Sequence, residues 1–564
     1  MDQIVREESP SLPLGPVEEL TAVEKFALQQ DFQQLPQSQR LYEELIPKTT
    51  PGPGEQYAFA VDLDRCTGCK ACITACHNEN GLEEDESWRS VGVLYGGTSQ
   101  KPILQHVTTG CHHCLDPACL NGCPVNAYEK DAATGIVKHL DDQCIGCQYC
   151  TFTCPYDVPK YSRKKGIVHK CDMCLSRLEV GQAPACVRSC PNGAIRIGLV
   201  ETASVRENPE DYVKITHAPD SHYTLPTTRY TTQKGLPENM VSPNFYSVKP
   251  EHSHMPLIVM LVLTQLSVGA FWAVLFLKNH VLASFKDILI PYHVLIALGA
   301  GLVALGASLF HLGRPLYAFR AIVGLKRSWL SREIVLFGIF ALWATVYALG
   351  AGMSLAQGAP TLSSLGPKLW KGLMDILAFA TAGVGTLGVF SSVKVYQKTH
   401  RPFWDNPLTA FKFFLTMGIL GCATVFFTTI ILALACRQIP VFSIMQEFGT
   451  VFCGILAVMT TIKIFLEIMI FLHLDDRELT ALKKTALLMT GPFKKVTLTR
   501  FICGAIGGIF LPVLFLIRHS HLGWGGILGV SGLIFLLSFT GEFLERYLFF
   551  RTVVPFRMPG GKDS

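Results

Sequence analysis

CTGCKACITAC (66–76) and CIGCQYCTFTC (144–154) each space four cysteines as C-x2-C-x2-C-x3-C: Cys66, Cys69, Cys72, Cys76 and Cys144, Cys147, Cys150, Cys154. A loop of this spacing wraps three thiolates around one cubane cluster and sends the fourth to a second cluster. Two variants occupy the same region. Cys111, Cys114, Cys119, Cys123 and Cys171, Cys174, Cys186, Cys190 each stretch one gap but keep the leading C-x2-C and the trailing C-x3-C. Pro124, Pro155 and Pro191 follow the last cysteine of three groups, and His77 stands there in the first. Sixteen of the twenty cysteines are used in this way, and soft thiolates at this spacing select iron–sulfur. The reading is four [4Fe-4S] clusters.

Two other uses of cysteine fail on pattern. A disulfide framework suits a short secreted chain, whereas MDQIVREESPSLPLG (1–15) has neither a basic region followed by an apolar run nor a twin arginine. Zinc ribbons also use C-x2-C pairs, but four successive tetrads ending in C-x3-C are not their pattern. Four groups make two ferredoxin-like pairs, because the last cysteine of each group ligates its partner's cluster. Spacing leaves nested and sequential pairing both open.

The chain of 564 residues is 49% hydrophobic and only 16% charged, well below the ~25% charge of soluble domains. Part of it is expected in lipid. A net charge of +5 carries no nucleic-acid signal. Residues 1–55 form a polar extension with one amphipathic stretch at 16–30, and 56–200 the cluster domain, with strands expected at 57–63, 135–140 and 194–200. Residues 201–252 mix Pro, Thr, Asn and Tyr without periodicity, as a linker packed on that domain. From 253 to 564 lie eight apolar runs long enough to span a bilayer, near 256–277, 291–311, 333–353, 373–393, 411–435, 448–472, 500–517 and 522–541.

Lys and Arg concentrate in the loops that share a side with the amino terminus (312–332, 394–410, 473–499) and in the tail. The positive-inside rule then puts the cluster domain on the cytoplasmic face of the inner membrane, unless the basic loops serve as its docking surface. Ionisable residues inside spans are costly and mark candidate sites: His311, Glu333, Asp375, Lys463, Glu467 and Glu542. Lys463 and Glu467, four apart on one helix, are expected to neutralise each other. Asp375 stays without a role. Cys422, Cys436, Cys453 and Cys503 lack ligand spacing and are expected to pack as small apolar groups.

Over about 500 positions the chain resembles the iron–sulfur electron-transfer subunit of the dimethyl sulfoxide reductase family fused to that family's eight-helix membrane anchor. The residues that carry the resemblance are the four cysteine groups, including CIGCQYCTFTCPYDVPKY (144–161), and in the anchor SLFHLGRPLYAFRA (308–321), RSWLSREI (327–334) and GEFLERYLFF (541–550). The fold implied is an α+β double ferredoxin-like domain followed by an all-α eight-helix transmembrane bundle. The resemblance implies nested ligation: Cys171, Cys174, Cys186 with Cys76; Cys66, Cys69, Cys72 with Cys190; Cys111, Cys114, Cys119 with Cys154; Cys144, Cys147, Cys150 with Cys123.

It further implies a separate molybdopterin catalytic subunit, because no stretch here resembles one, and anaerobic electron transport from menaquinol in the membrane quinone pool. The reverse flow, from a formate-, sulfur- or arsenite-oxidising partner to quinone, is the alternative. By the same resemblance His311 and Glu333 belong to the quinol site. Arg314 is the neighbour expected to orient a carboxylate or headgroup, and Gly299, Gly301 and Gly306 offer room for a flat ring. No haem is expected: relatives with haem replace a cysteine of the third group, which is complete here, and His293 and His311 lie near opposite ends of one predicted helix.

Overall fold

The computed structural model describes residues 44–280, 283–355, 367–435, 448–518 and 521–559. The amphipathic stretch at 16–30 and Cys436 lie outside them. The cluster domain is held by short strands and cysteine loops. Its central strand, Glu55–Asp62, runs antiparallel to Ile195–Glu201, with Val61 opposite Ile195. Three hairpins support the loops: Ser90–Thr98 with Lys101–Thr109, Tyr128–Lys130 with Val137–His139, and Lys160–Ser162 with Ile167–His169.

The strands expected at 57–63, 135–140 and 194–200 are present, the middle one reduced to Val137–His139. The segment read as a linker does more than lie on the surface. Arg229–Thr231 adds a third, parallel strand beside Glu55–Asp62, Thr227 and Thr228 are buried, and the Tyr230 hydroxyl donates to the Thr108 carbonyl at 3.1 Å. A single three-residue strand carries no period that a sequence could display.

Proline explains how three cysteine groups end. The residue before proline is driven out of the helical region, so the short helices Ala118–Gly122 and Tyr149–Thr153 stop at Cys123 and Cys154, whose ψ angles are 122° and 116°. The chain then curls back, and the N–H groups of Ala127 and Ala194 donate to the sulfurs of Cys123 and Cys190, each at 3.2 Å. In the first group His77 imposes no such stop, and the helix Ala71–Asn80 runs on to a left-handed Gly81.

Among the described residues eight helices are long and apolar enough to cross a membrane: Met255–His280, Ala283–Leu309, Trp329–Leu355, Pro367–Gln397, Pro407–Ala435, Thr450–Ile468, Lys494–Arg518 and Trp524–Arg551. They are numbered here as spans one to eight. The first is apolar all round and the most buried, as expected of a central helix. It meets the fifth backbone to backbone, and a Cβ on Gly269 would sit 1.8 Å from the Met417 carbonyl. The eighth span runs ten residues past its expected end at 541, because Glu542, Glu545 and Arg546, which ended the apolar run, are buried against charged partners.

Candidate electron-transfer and quinol site

Each C-x2-C loop turns through a left-handed residue just before its second cysteine: Gly68, His113, Gly146 and Met173, at φ 73°, 42°, 67° and 63°. That turn aims main-chain N–H groups at the first sulfur, from Gly146 to Cys144 and from Met173 to Cys171, each at 3.4 Å. The fold then gathers the thiols into four sets. Burial raises the Cys66 thiol, and Cys72, Cys190 and Cys69 face it. Burial likewise holds Cys76 up at about 12, with Cys186 and Cys174 beside it. Cys119 faces Cys154, Cys111 and Cys114. Cys150 faces Cys147, Cys144 and Cys123. These are the nested sets.

Among the described residues no three Cys, His, Asp or Glu side chains converge on a single-ion site. Tetrahedral zinc would require that convergence, whereas a cubane meets its thiolates at four separate corners. Cys111, Cys114, Cys119 and Cys154 instead border one common space. Buried cations balance the thiolates. Burial works against the Arg89 guanidinium, yet Cys186, Cys72, Cys171 and Cys76 surround it and hold it charged. Lys170 reaches Cys111 Sγ at 3.7 Å and the Cys171 carbonyl at 2.7 Å. Donor set, N–H groups and counter-charges all fit [4Fe-4S] clusters. Sequence reading missed Arg89 and Lys170; only the position of Lys170 next to Cys171 hinted at one of them.

The sets form a row. Cys72 faces Cys186 of the next set, Cys171 faces Cys111, and buried Tyr128 stands between Cys150 and Cys119. One end carries the exposed Cys69. The other end, the loop Cys144–Cys150, lies against the bundle. Gly313 and Arg314, just after the second span, donate their N–H groups to the carbonyls of Gly146 (3.3 Å) and Ile145 (3.0 Å). The backbones touch only because Gly313 has no side chain: a Cβ there would lie 2.0 Å from the Gly166 carbonyl. Ser328 donates to the Gly122 carbonyl at 2.6 Å, Arg320 to Asp142 at 2.6 Å and Arg401 to Thr151 at 3.3 Å. These basic loops are a docking surface.

Residues 250–551 match the family model of the DMSO reductase anchor subunit (DmsC), and residues 103–200 match a 4Fe-4S dicluster domain. The protein belongs to the dimethyl sulfoxide reductase family, as its iron–sulfur subunit and its anchor subunit in one polypeptide. The B subunit of the anaerobic dimethyl sulfoxide reductase of Escherichia coli K12 is 37% identical over 179 residues, 30% of this chain and 86% of that one. The probable anaerobic dimethyl sulfoxide reductase subunit YnfG of the same organism shows the same identity and coverage. Its formate dehydrogenase-O iron–sulfur subunit is 37% identical over 174 residues, 27% of this chain and 58% of that one. Membership makes this protein an electron-transfer and membrane-anchoring subunit of a molybdopterin complex.

In this dimethyl sulfoxide reductase family chain the anchor candidates fall on two sides of the Cys147–Tyr149 loop. His311 lies beside the main chain of Cys147; burial lowers it to about 4, and its Nε2 is buried without a partner. It lines a cavity of about 1170 Å³ at the seam, with Gln148, His252, His254 and Phe310. Glu333, 3% exposed, accepts from the Ser392 hydroxyl and stands near Tyr149; no contact joins it to His311 among the described residues.

The Arg314 guanidinium donates to the Asp141 carbonyl at 2.9 Å, and among the described residues no carboxylate pairs with it. Of the three glycines, Gly301 packs on Ser267 and Phe340, while Gly299 and Gly306 face open space. His293 uses both ring nitrogens, toward the Leu289 carbonyl at 2.6 Å and the Thr429 hydroxyl at 2.9 Å.

Lys463, Glu467, Glu542, Glu545 and Arg500 form one buried network. Lys463 contacts Glu542 most closely, then Glu545 at 3.6 Å, and Glu467 only at 3.8 Å. The expected Lys463–Glu467 pair is therefore the weakest of its contacts. Arg500 claims Glu467 with two bonds of 2.8 and 3.1 Å and reaches Glu542 at 3.0 Å. Asp375 pairs with Lys278 across spans one and four. Cys422, Cys453 and Cys503 are buried.

Proposed function

We propose that this protein takes electrons from membrane quinol at the seam and passes them through four [4Fe-4S] clusters to a molybdenum-pterin partner. The observation that carries the reading is the bonding of the Cys144–Cys150 loop to Gly313 and Arg314, which puts one end of the thiolate row against the membrane surface. The exposed Cys69 at the other end suits transfer to a partner. Bound clusters supply a one-electron relay; the chain's own residues hold them, balance their charge and keep water out.

Quinol oxidation needs an apolar slot with a few polar groups beside an electron acceptor. His311 and Glu333, one on each side of the Cys147–Tyr149 loop, are the quinol-site residues in this reading, with menaquinol the donor. The cluster face is cytoplasmic by the Lys and Arg bias, which keeps its sign when the docking residues Arg314, Arg320 and Arg401 are set aside. The similarity to a formate dehydrogenase iron–sulfur subunit covers only 58% of that protein, whereas the anchor half matches the reductase family throughout; this favours the reductive direction.

The test is rapid mixing of the purified complex with a reduced naphthoquinol. The visible absorbance of the clusters should bleach, and His311→Ala and Glu333→Gln should slow this at least tenfold while reduction by dithionite stays normal. Wild-type rates in both variants would reject the site.

A further inference from the structure

The seam cavity holds an imidazole that the chemistry so far leaves idle. His254 ends the segment leading into the first span, and its carbonyl accepts the N–H groups of Leu257 at 2.9 Å and Ile258 at 3.2 Å. Its backbone caps the helix, so its ring is free for another task. The residue sits at φ 45°, a left-handed conformation that costs a non-glycine residue of order 1 kcal/mol and tends to survive where the surroundings or function demand it. Here the surroundings pin the ring. Phe152 packs on it edge-on at 5.0 Å and Phe550 lies at 6.0 Å, while its own N–H is held by His252 Nδ1 at 3.2 Å.

What the ring faces is His311, edge-on at 5.2 Å between centroids, with both residues lining the same cavity beside Gln148. His311 Nε2 is buried with no hydrogen-bond partner, and among the described residues neither ring nitrogen of His254 has one. Leaving the buried His311 Nε2 unpaired costs ~1–3 kcal/mol, which a bound polar group would recover. Burial first, then His311, His252 and Arg401, keep His254 unprotonated down to about 3. His311 turns one ring nitrogen to the Cys147 main chain and leaves Nε2 open, while His254 leaves one N–H donor and one bare nitrogen. A phenolic hydroxyl, itself donor and acceptor, is the group that satisfies one of each.

We propose that His254 is a quinol-binding residue, and that with His311 it grips a single ring hydroxyl of the quinol, one imidazole accepting the hydrogen bond and the other donating. The idea rests on the reading of the seam as a quinol site and adds to it a residue from the lead-in to the first span. Rings only 5.2 Å apart are too close to bracket a quinol end to end, so both address one edge of the headgroup. Phe152, between the ligands Cys150 and Cys154, and Gln148, beside Cys147, bring that edge next to two cysteine loops.

The test uses the full chain in complex with its catalytic partner and a heptyl hydroxyquinoline N-oxide, a quinol-headgroup mimic whose fluorescence is quenched on binding. His254→Phe keeps an aromatic ring against Phe152 and Phe550 but offers no nitrogen. It should raise the Kd of the probe about tenfold, the loss of roughly one hydrogen bond, with iron content and dithionite reduction as in wild type. His254→Gln, which restores a donor and an acceptor, should recover part of that loss. If His254→Phe binds the probe as wild type while His311→Ala does not, the role of His254 is overturned and the quinol site stands. If His254→Phe, His311→Ala and Glu333→Gln all bind as wild type, the quinol site itself falls. If His254→Phe lowers iron content, His254→Gln decides: full iron with weakened probe binding supports the grip, and full iron with wild-type binding overturns it.

Discussion

The Tyr149 hydroxyl donates to the Val395 carbonyl at 2.7 Å, joining residues 246 apart in sequence. Tyr149 lies between Cys147 and Cys150, and Val395 near the end of the fourth span that faces the cysteine domain. This buried hydrogen bond adds a side-chain tie between the membrane-proximal cysteine loop and the bundle to the main-chain bonds from Gly313 and Arg314. Tyr149→Phe should weaken docking by about 1 kcal/mol and slow quinol-driven cluster reduction several-fold, leaving dithionite reduction unchanged. Stopped-flow traces and thermal unfolding in detergent that both match wild type would show that this bond does not position the loop.

Cys147→Ser should disturb only the cluster at the membrane end. Wild-type protein should carry about sixteen iron atoms, four for each cubane, and the variant should lose at most one cluster's share while the other three keep their electron paramagnetic resonance signals. Collapse of all four signals would mean that the row is not built from separable sets.

His254 makes stability depend on pH. Its folded value, near 3, lies below the ordinary 6.5 because of burial, then His311, His252 and Arg401. Below about 6.5 the unfolded state takes up a proton that the folded state refuses, so stability is full above 6.5 and falls by up to ~1.4 kcal/mol per pH unit as pH drops toward 3. Burial acts the same way on His311, at about 4. Denaturation in detergent between pH 7 and about 5 should show a shallower acid slope in His254→Gln than in wild type; equal slopes would contradict the burial of this ring.

Arg500 is 1% exposed and satisfies Glu467 and Glu542 together. Removing one partner of a buried ion pair costs ~3–5 kcal/mol, because a charge stays behind unpaired. Arg500→Met should lower the unfolding temperature markedly and reduce the amount of protein in membranes, and Arg500→Lys should do so less. A variant as stable as wild type would mean that Glu467 and Glu542 are neutral in the folded bundle.

Sidedness is read from a reporter fused after Ser564. Enzymatic reporters active only in the cytoplasm should work there, as the basic loops require. Activity only in an exported form would assign those loops to docking alone, the role that Arg314, Arg320 and Arg401 already perform toward the cluster domain.

Much of this protein was legible without coordinates, for reasons particular to its residues. Cysteine ligation of a cluster is local: a C-x2-C loop must turn within three residues, so the chemistry of Cys66 or Cys144 is written in its immediate neighbours. A span is equally local, because a bilayer tests each helix on its own composition. Both signals are one-dimensional, and both halves were therefore readable.

What only the tertiary structure decided are relations between distant residues. Spacing left nested and sequential pairing open, and the fold settled the thiol sets by bringing Cys190 to Cys66 and Cys123 to Cys150. Lys463 stands four residues from Glu467, yet a third helix carries Glu542 closer, and Arg500 takes Glu467 away. Arg314 looked free to orient a carboxylate until the Asp141 carbonyl arrived from the other domain. His254 sat just ahead of the first apolar run, and nothing in its neighbours announced that the fold would lay it against His311. Electrostatic and hydrogen-bond partners are chosen by distance in space, and a sequence reports distance only along the chain.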